Sequence, residues 1–143
     1  MSIYSLVYSS NAFPVPAGAI DIAMVDDILA KARERNAAVG ITGALLFTEG
    51  RFVQALEGER DQVRATYERI RKDPRHSDVD ILSSQLAERR RFKEWSMAFV
   101  GDSDELRDHF RDAPLAALGS KPAGDALLDF MLELVRNADS PPD

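Results

Sequence analysis

One glutamine in an otherwise apolar strand most constrains what this chain can fold into. The stretch 36–58, NAAVGITGALLFTEGRFVQALEG, contains two apolar runs separated by a Glu-Gly pair, which is typical of two strands joined by a tight turn. Because side chains alternate across a strand, Gln54 shares a face with Phe52 and Leu56. Burying an amide without a partner costs about 1–3 kcal/mol. We therefore expect Gln54 to hydrogen-bond either another protein group or a bound ligand.

The composition is that of one soluble globular domain and excludes several kinds of site. The chain has 143 residues, 45 % of them hydrophobic, which is enough to bury a core without disulfides or a metal. The lack of cysteine excludes disulfides, thiolate metal sites, cysteine nucleophiles and any flavin photosensor that works through a cysteinyl adduct. A net charge of -6 disfavours a general nucleic-acid or anionic-membrane surface. No apolar run approaches the roughly 18 residues of a membrane span and no secretory signal is present, so we expect a cytoplasmic protein without a membrane or nucleic-acid partner.

Hydrophobic periodicity predicts the order strand, helix, strand, strand, helix, strand, strand. The first four strands are predicted over 3–9, 39–48, 51–57 and 78–86, and the helices over 21–35, with Asp21 as N-cap, and 60–72. On the last strand, Trp95, Met97 and Phe99 are predicted to share one face. This order predicts an α+β, ferredoxin-like βαββαββ fold with a five-stranded mixed sheet and the two helices on one face.

The region after Gly101 predicts short helices and loops that end in a helix near 124–137. The apolar side chains of that helix cover an arc of about 200°, wider than the stripe of a helix that packs on one side only. We expect it to cover the second face of the sheet and to meet another subunit. The chain then divides into an N-terminal domain, 1–100, and a C-terminal helical extension, 101–143, that packs on the sheet or in a dimer interface. A homodimer or a higher homo-oligomer is expected.

The common catalytic and metal-binding motifs are missing from the sequence. The glycines form neither G-x-G-x-x-G nor G-x-x-x-x-G-K-[ST], so these phosphate-binding loops are excluded. The two histidines, His76 and His109, do not have HExxH spacing, and no G-x-S-x-G nucleophile motif occurs. We therefore expect no metal site and no enzymatic activity.

Six short motifs remain, and together they match a known family. They are Y-x-S at 8–10, R-x-x-N at 33–36, GITG at 40–43, F-x-Q-x-L-E-G at 52–58, D-P-R-H at 73–76 and R-F-x-x-W-S-M at 91–97. In this order and spacing, over about residues 1–100, the set resembles the BLUF family of flavin-based blue-light sensors. Any one of these motifs alone would be weak, but the set is specific.

The resemblance implies that FAD is held noncovalently between the two helices, with FMN or riboflavin as possible substitutes in recombinant protein. It implies that Tyr8 is the photochemical donor of an electron and a proton, that Gln54 links Tyr8 to flavin N5 and O4, and that Asn36 bonds the pyrimidine end of the ring. A tyrosine hydroxyl donates and accepts, and a glutamine amide offers one group of each kind. Turning or tautomerising Gln54 therefore re-pairs the flavin edge without covalent chemistry and gives a slightly red-shifted state that reverts in the dark.

The resemblance also assigns the surroundings of the ring. The side chains that it places on or near the ring are Ile28, Phe52, Leu56, Ile70, Asp73 and His76. Arg35 is a candidate for holding the FAD phosphates. Either Met97 or Trp95 moves when Gln54 changes its hydrogen bonds, and the sequence leaves open which of the two lies inward.

Each of these residues also has an ordinary structural interpretation when the motif set is ignored. Tyr8 would be a half-buried strand tyrosine, and Trp95 and Met97 would be core residues. Gln54 would be a satisfied core amide or a ligand contact, and Asn36 a residue at the end of a helix.

We therefore expect a short, single-domain blue-light photoreceptor that signals to a downstream protein in trans through its last strand and C-terminal helices. Two alternatives stay open. One is a flavin-binding module that has lost signalling. The other is a small ferredoxin-like enzyme of acylphosphatase or monooxygenase type, which would need a phosphate-binding loop or a reactive side chain that the sequence does not show.

Overall fold

Five strands and three helices make up the part of the chain that the structure, a computed structural model, describes: residues 3–12, 22–48, 51–73, 76–100 and 121–137. The strands are β1 (Ile3–Ala12), β2 (Thr42–Thr48), β3 (Arg51–Gly58), β4 (His76–Ala87) and β5 (Ala98–Val100). The helices are α1 (Ile22–Val39), α2 (Arg60–Arg71) and α3 (Lys121–Asn137). The predicted order of strands and helices is confirmed.

The strands form one mixed sheet in the order β4-β1-β3-β2-β5. Strand β1 pairs antiparallel with β3 and β4, β2 pairs antiparallel with β3, and β5 runs parallel to β2. The predicted α+β fold with a five-stranded mixed sheet is confirmed. The register sets Tyr8 of β1 directly opposite Gln54 of β3, so the two side chains lie on the same face of the sheet.

The sheet separates two apolar clusters. The α1/α2 cluster includes Leu6, Tyr8, Ile28, Leu29, Ile41, Leu45, Phe47, Phe52, Leu56, Val63 and Met97. The α3 cluster includes Val7, Ala44, Leu46, Val53, Ala55, Phe92, Trp95, Ala98, Leu127, Leu128, Met131, Leu134 and Val135. The alternation predicted for β3 is confirmed, since Phe52 and Leu56 lie in the first cluster and Val53 and Ala55 in the second. The expectation that the last helix covers the second sheet face is confirmed as well.

Helix α1 is longer at its C-terminal end than predicted. It continues to Val39, and β2 begins only at Thr42, whereas the sequence predicted a helix end at Arg35 and a strand from residue 39. Gly40, with a φ of 73°, lies in the left-handed region that commonly follows a helix. The Ile41 amide donates to the Asn36 carbonyl at 2.9 Å, which completes the cap. Asn36 is therefore an interior residue of α1.

The last strand begins later than predicted, and this changes the place of Trp95. Residues 91–97 have irregular backbone, and β5 starts at Ala98. The prediction that Trp95, Met97 and Phe99 share one face is wrong, because Trp95 lies in the α3 cluster whereas Met97 and Phe99 lie with the α1/α2 cluster. Strand alternation does not apply to the turn in which the Trp95 amide donates to the Phe92 carbonyl at 3.0 Å.

Some predictions fall outside the described residues. These are the Asp21 cap, the Glu49-Gly50 turn, the short helices and loops after Gly101, His109 and the side chain of His76. Within the described ranges, no helix is both long and apolar enough to cross a membrane. The same ranges contain no group of three or more acidic, histidine or cysteine side chains that would hold a metal ion.

Candidate functional site

A buried tyrosine and a buried glutamine form the centre of the α1/α2 side of the sheet. Tyr8 is fully buried and Gln54 is 4 % exposed. The Tyr8 hydroxyl donates a hydrogen bond to Oε1 of Gln54. The sequence predicted a hydrogen-bond partner for the Gln54 amide. For the amide oxygen, that partner is the hydroxyl of Tyr8.

The other half of the Gln54 amide contacts a methionine. Its Nε2 donates to Sδ of Met97 at 3.4 Å. Thioether sulfur is a weak acceptor, so this hydrogen bond is the weaker of the two that Gln54 makes. The structure therefore decides which residue lies inward, since Met97 lies beside Gln54 and Trp95 lies on the opposite face of the sheet.

Burial keeps the Tyr8 hydroxyl protonated. It raises the pKa of Tyr8 well above its usual value, and the nearby Tyr67 and Asp73 raise it further. The ring of Tyr67 packs edge-on against the Tyr8 ring, with 5.7 Å between centroids. Because the charged phenolate is disfavoured here, Tyr8 remains a hydrogen-bond donor at neutral pH.

A cleft between α1 and α2 ends at Gln54. Its lining residues are Ile28, Lys31, Ala32, Arg35, Asn36, Gln54, Thr66, Arg69, Ile70 and Asp73. The two amides, Asn36 and Gln54, are buried, whereas the cations Lys31, Arg35 and Arg69 are exposed at its mouth. The cleft lining has three cations and one carboxylate, so its local charge is positive although the net charge of the chain is -6. Such a cleft suits a ligand with a polar-edged, apolar body and an anionic tail.

Helix α1 holds the backbone segment that carries Met97. Nδ2 of Asn36 donates to the Ser96 carbonyl at 2.8 Å, and Nε of Arg33 donates to the Met97 carbonyl at 3.0 Å. The Trp95 carbonyl accepts the Gly43 amide at 3.1 Å. Sequence reasoning placed neither Arg33 nor Ser96 at the site, although R-x-x-N spacing places Arg33 and Asn36 on neighbouring positions of one helix face.

Glu57 fixes the other end of the same segment. Its Oε2 accepts the Arg91 amide at 2.6 Å, and its Oε1 accepts the Phe92 amide at 2.8 Å and the Thr42 hydroxyl at 3.1 Å. Burial raises the pKa of Glu57, partly opposed by the N–H groups of Arg91 and Phe92. Sequence reasoning missed this role. The available signal was an acidic side chain in the apolar row of Val53 and Ala55, the same kind of anomaly that identified Gln54.

The structure brings most of the predicted cofactor residues together. Those that line the cleft are Ile28, Arg35, Asn36, Gln54, Ile70 and Asp73. Phe52 and Leu56 are fully buried in the apolar cluster beneath it, beside Tyr8. His76 is the first residue of β4, and its side chain is outside the described part. Sequence reasoning missed Lys31, Thr66 and Arg69, although Lys31 lies one helical turn before Arg35.

Comparison with known proteins identifies one family. The family BLUF, described as sensors of blue-light using FAD, matches residues 3–98. The beta subunit of photoactivated adenylate cyclase from Euglena gracilis is 41 % identical over 97 residues, which cover 67 % of this chain and 11 % of that protein. The blue light- and temperature-regulated antirepressor BluF of Escherichia coli strain K12 is 36 % identical over 97 residues, 68 % of this chain and 23 % of that protein. The matched region is thus about a tenth to a quarter of these relatives' length.

A solved structure of similar size has the same fold. The photo-activated state of BlsA superimposes with a TM-score of 0.76 at 27 % sequence identity. The superposition covers 92 % of this chain and 95 % of that chain. The likeness therefore extends beyond residues 3–98 into the C-terminal part.

Proposed function

The chain belongs to the BLUF family, sensors of blue light using FAD, and on this premise we propose that Tyr8, Gln54 and Met97 form its light switch. The observation that carries this proposal is the buried row of hydrogen bonds from the Tyr8 hydroxyl to Gln54 and from Gln54 to Met97. This row ends the cleft between α1 and α2. The roles of the individual residues are what is proposed.

The chemistry of the cleft residues suits a flavin ring. Ile28 and Ile70, from facing helices, provide apolar walls for a planar ring, and Asn36 and Gln54 provide amides for its polar edge. The Asn36 Nδ2 is used by Ser96, so its Oδ1 is the group we assign to a ring N–H. When bound, the flavin supplies blue-light absorption and an excited state that accepts an electron.

The cations at the mouth favour FAD over smaller flavins. Lys31, Arg35 and Arg69 line the mouth of the cleft, and cationic side chains form strong, charge-assisted hydrogen bonds with phosphate oxygens. FAD carries a diphosphate, FMN one phosphate and riboflavin none. We assign FAD as the native cofactor and these three residues to its diphosphate.

Gln54 is the residue whose hydrogen bonds change. In this structure, Oε1 of Gln54 faces Tyr8 and Nε2 faces Met97. Turning the amide over brings Nε2 to the Tyr8 Oη, which then accepts a hydrogen bond, and brings Oε1 to Sδ of Met97, which has no proton to donate. The bond to the sulfur is lost at small cost, and Met97 is then released from Gln54.

The rearrangement at Gln54 affects the rest of the molecule through residues 95–97. Met97 lies on the α1/α2 side of the sheet and Trp95 on the α3 side, so a shift of this segment reaches both faces. Trp95 packs in the same cluster as Leu128 and Met131 of α3. We assign residues 1–100 to the sensor and residues 101–143 to an extension that carries the signal to a separate partner protein. We further propose that the chain has no catalytic activity of its own. We also propose that it forms a homo-oligomer and is located in the cytoplasm. The name of the Escherichia coli relative, an antirepressor, supports a protein partner.

The test is the absorption spectrum of the purified protein before and after blue light, with the cofactor identified chromatographically after unfolding. We expect a flavin spectrum that shifts slightly to the red, recovers in darkness and belongs to FAD. A flavin spectrum that does not respond to light would favour a flavin-binding module without signalling. A protein that stays colourless after incubation with FAD would contradict the proposal.

A further inference from the structure

A basic groove lies on the α3 side of the molecule and shares no lining residue with the cleft between α1 and α2. It is formed by the end of β4, the segment between β4 and β5, and α3, and it encloses about 840 Å³. Its lining includes five cations, Arg89, Arg90, Arg91, Lys93 and Arg136. On a chain with a net charge of -6, this is a local reversal of sign that calls for an explanation.

Only two of these cations have partners within the part of the chain that the structure describes. Arg91 pairs with Asp129 at 3.1 Å and Asp125 at 3.3 Å, and Arg90 donates to the Thr42 hydroxyl at 3.1 Å and the Glu57 carbonyl at 3.2 Å. The side chains of Arg89, Lys93 and Arg136 are exposed and make no hydrogen bond or ion pair with the described residues. Three cations are therefore available to an anionic partner.

The groove also has an apolar side chain in one wall. Leu132 of α3 is partly buried and lines the groove, whereas Leu86, opposite Tyr4 of β1, lies on the α1/α2 face of the sheet. A leucine beside cations that have no partner among the described residues matches a segment that is acidic and also carries large apolar side chains. We propose that this groove binds an acidic, leucine-containing segment of the downstream protein.

A protein segment fits the groove better than a nucleic acid does. The lining also contains the carboxylates of Glu88 and Asp125, which would repel a continuous row of phosphates. A peptide can place its acidic side chains beside Arg89, Lys93 and Arg136 and an apolar one on Leu132.

The groove is connected to the light switch by its own backbone. Glu57 binds the amides of Arg91 and Phe92, and the chain from Lys93 leads in four residues to Met97. A shift of residues 95–97 therefore moves the wall that carries Lys93 relative to the wall formed by α3. The affinity for the segment thus differs between the dark and the illuminated protein, a step that rests on the proposed function.

The test measures binding of a fluorescein-labelled peptide of glutamates and leucines by fluorescence anisotropy, in darkness and under blue light. We expect Arg89→Glu/Arg136→Glu to weaken binding about tenfold or more, because both charge pairs become repulsive. The matched control is Arg64→Glu/Lys72→Glu, which reverses two exposed cations on and after α2 and should bind as the wild type does. Leu132→Ser should weaken binding of the glutamate-leucine peptide but not that of an all-glutamate peptide.

Three results would overturn the proposal. They are equal binding by the groove variant and the wild type, equal loss in groove and control variants, and tighter binding of a labelled single-stranded DNA than of the peptide. The spectrum of the same samples separates this proposal from the proposed function. A normal light-induced shift with no groove-dependent binding contradicts the groove alone, whereas groove-dependent binding without any shift contradicts the light switch alone. Equal affinity in dark and light, with a normal shift, contradicts the coupling.

Discussion

The two faces of the sheet differ in what they bury. On the α1/α2 face, the apolar cluster surrounds the polar groups of Tyr8, Gln54 and Asn36. On the α3 face, aliphatic side chains of α3 pack against Val7, Val53 and other apolar residues of the strands. Both faces bury polar groups, but Gln54 and Asn36 on the first face line a cleft, whereas the Glu57 carboxylate on the second binds the backbone of Arg91 and Phe92.

This difference indicates where a change of hydrogen bonds can occur. A buried polar group is restricted to arrangements that satisfy it, so a row of such groups has a small number of discrete states. A close-packed apolar cluster has no comparable alternatives and responds to a change as a unit. The segment 91–97 joins the two faces, because Met97 lies on one side and Trp95 on the other.

Among these variants, Gln54→Leu should have the largest effect on the α1/α2 face. We expect the variant to keep flavin and to lose the light-induced shift completely, because leucine has no group that can exchange hydrogen bonds. The control is Gln85→Leu, which removes an amide bonded to Asp125 of α3 at 2.6 Å, on the other face. Difference absorption spectra check both, and a normal shift in Gln54→Leu would remove the assigned role.

Tyr8→Phe should abolish the same shift while flavin stays bound. The change removes the hydroxyl that donates to Gln54 and preserves the ring that fills the core. Tyr4→Phe, on the same strand and the same face, is the control and should leave the shift intact. The role of Tyr8 would be disproved by a complete photocycle in the phenylalanine variant.

Leu128→Ala tests the opposite face. Leu128 is fully buried in the α3 cluster, so truncation should lower the free energy of unfolding by about 2–5 kcal/mol. The light-induced shift should remain, since no hydrogen bond of the switch is touched. Urea denaturation measures the loss, and Leu86→Ala, at an exposed leucine, should lower stability by no more than about 0.5 kcal/mol. Loss of the shift in Leu128→Ala would show that the two faces are not separate in function.

Glu57→Gln tests how the segment 91–97 is held, through the pH dependence of the free energy of unfolding. Burial raises the pKa of Glu57 above its usual 4.5, so the folded protein binds this proton more tightly than the unfolded chain does. The contribution of Glu57 to stability is therefore complete below pH 4.5 and falls as the pH rises through the raised pKa of the folded state. Glutamine does not titrate, so the advantage of the wild type in free energy of unfolding should shrink over this window.

Urea denaturation at several pH values measures this difference, with exposed Glu59→Gln as the control. An advantage of the wild type that grows with pH would mean that the two backbone N–H groups dominate over burial, with a lowered pKa.

The smallest expected effects are those of Met97→Leu and Trp95→Phe. Met97→Leu conserves volume but removes the acceptor of the Gln54 Nε2, so the shift should persist with a changed dark-recovery rate. Trp95→Phe, on the other face, should leave the recovery rate near that of the wild type. Timed absorption after a light pulse measures both rates. Equal changes in the two variants would contradict the separate placement of these residues.

Alternation along strands predicted the most important part of the site. It placed Gln54 between Phe52 and Leu56 and separated them from Val53 and Ala55, because a regular strand has no other choice. The partner of the Gln54 amide was not predictable from the residues alone, since the pairing of Tyr8 with Gln54 joins strands far apart in the chain.

Prediction failed where the backbone is irregular or where helices meet. Trp95 was assigned to the face of Met97 because a strand was extended into a turn. The alanines near the end of α1 suit a helix, and that end extends to Val39. Lys31 and Arg69 read as ordinary exposed cations until the packing of α1 against α2 places both beside one cleft.

The central claim is that light changes the hydrogen bonds of the Gln54 amide. Light-minus-dark infrared spectra of protein labelled with isotopic glutamine measure this directly, because label-sensitive bands report glutamine side chains. We predict a pair of such bands in the wild type that disappears in Gln54→Leu and persists in Gln85→Leu. A normal visible shift without any glutamine band would contradict the account.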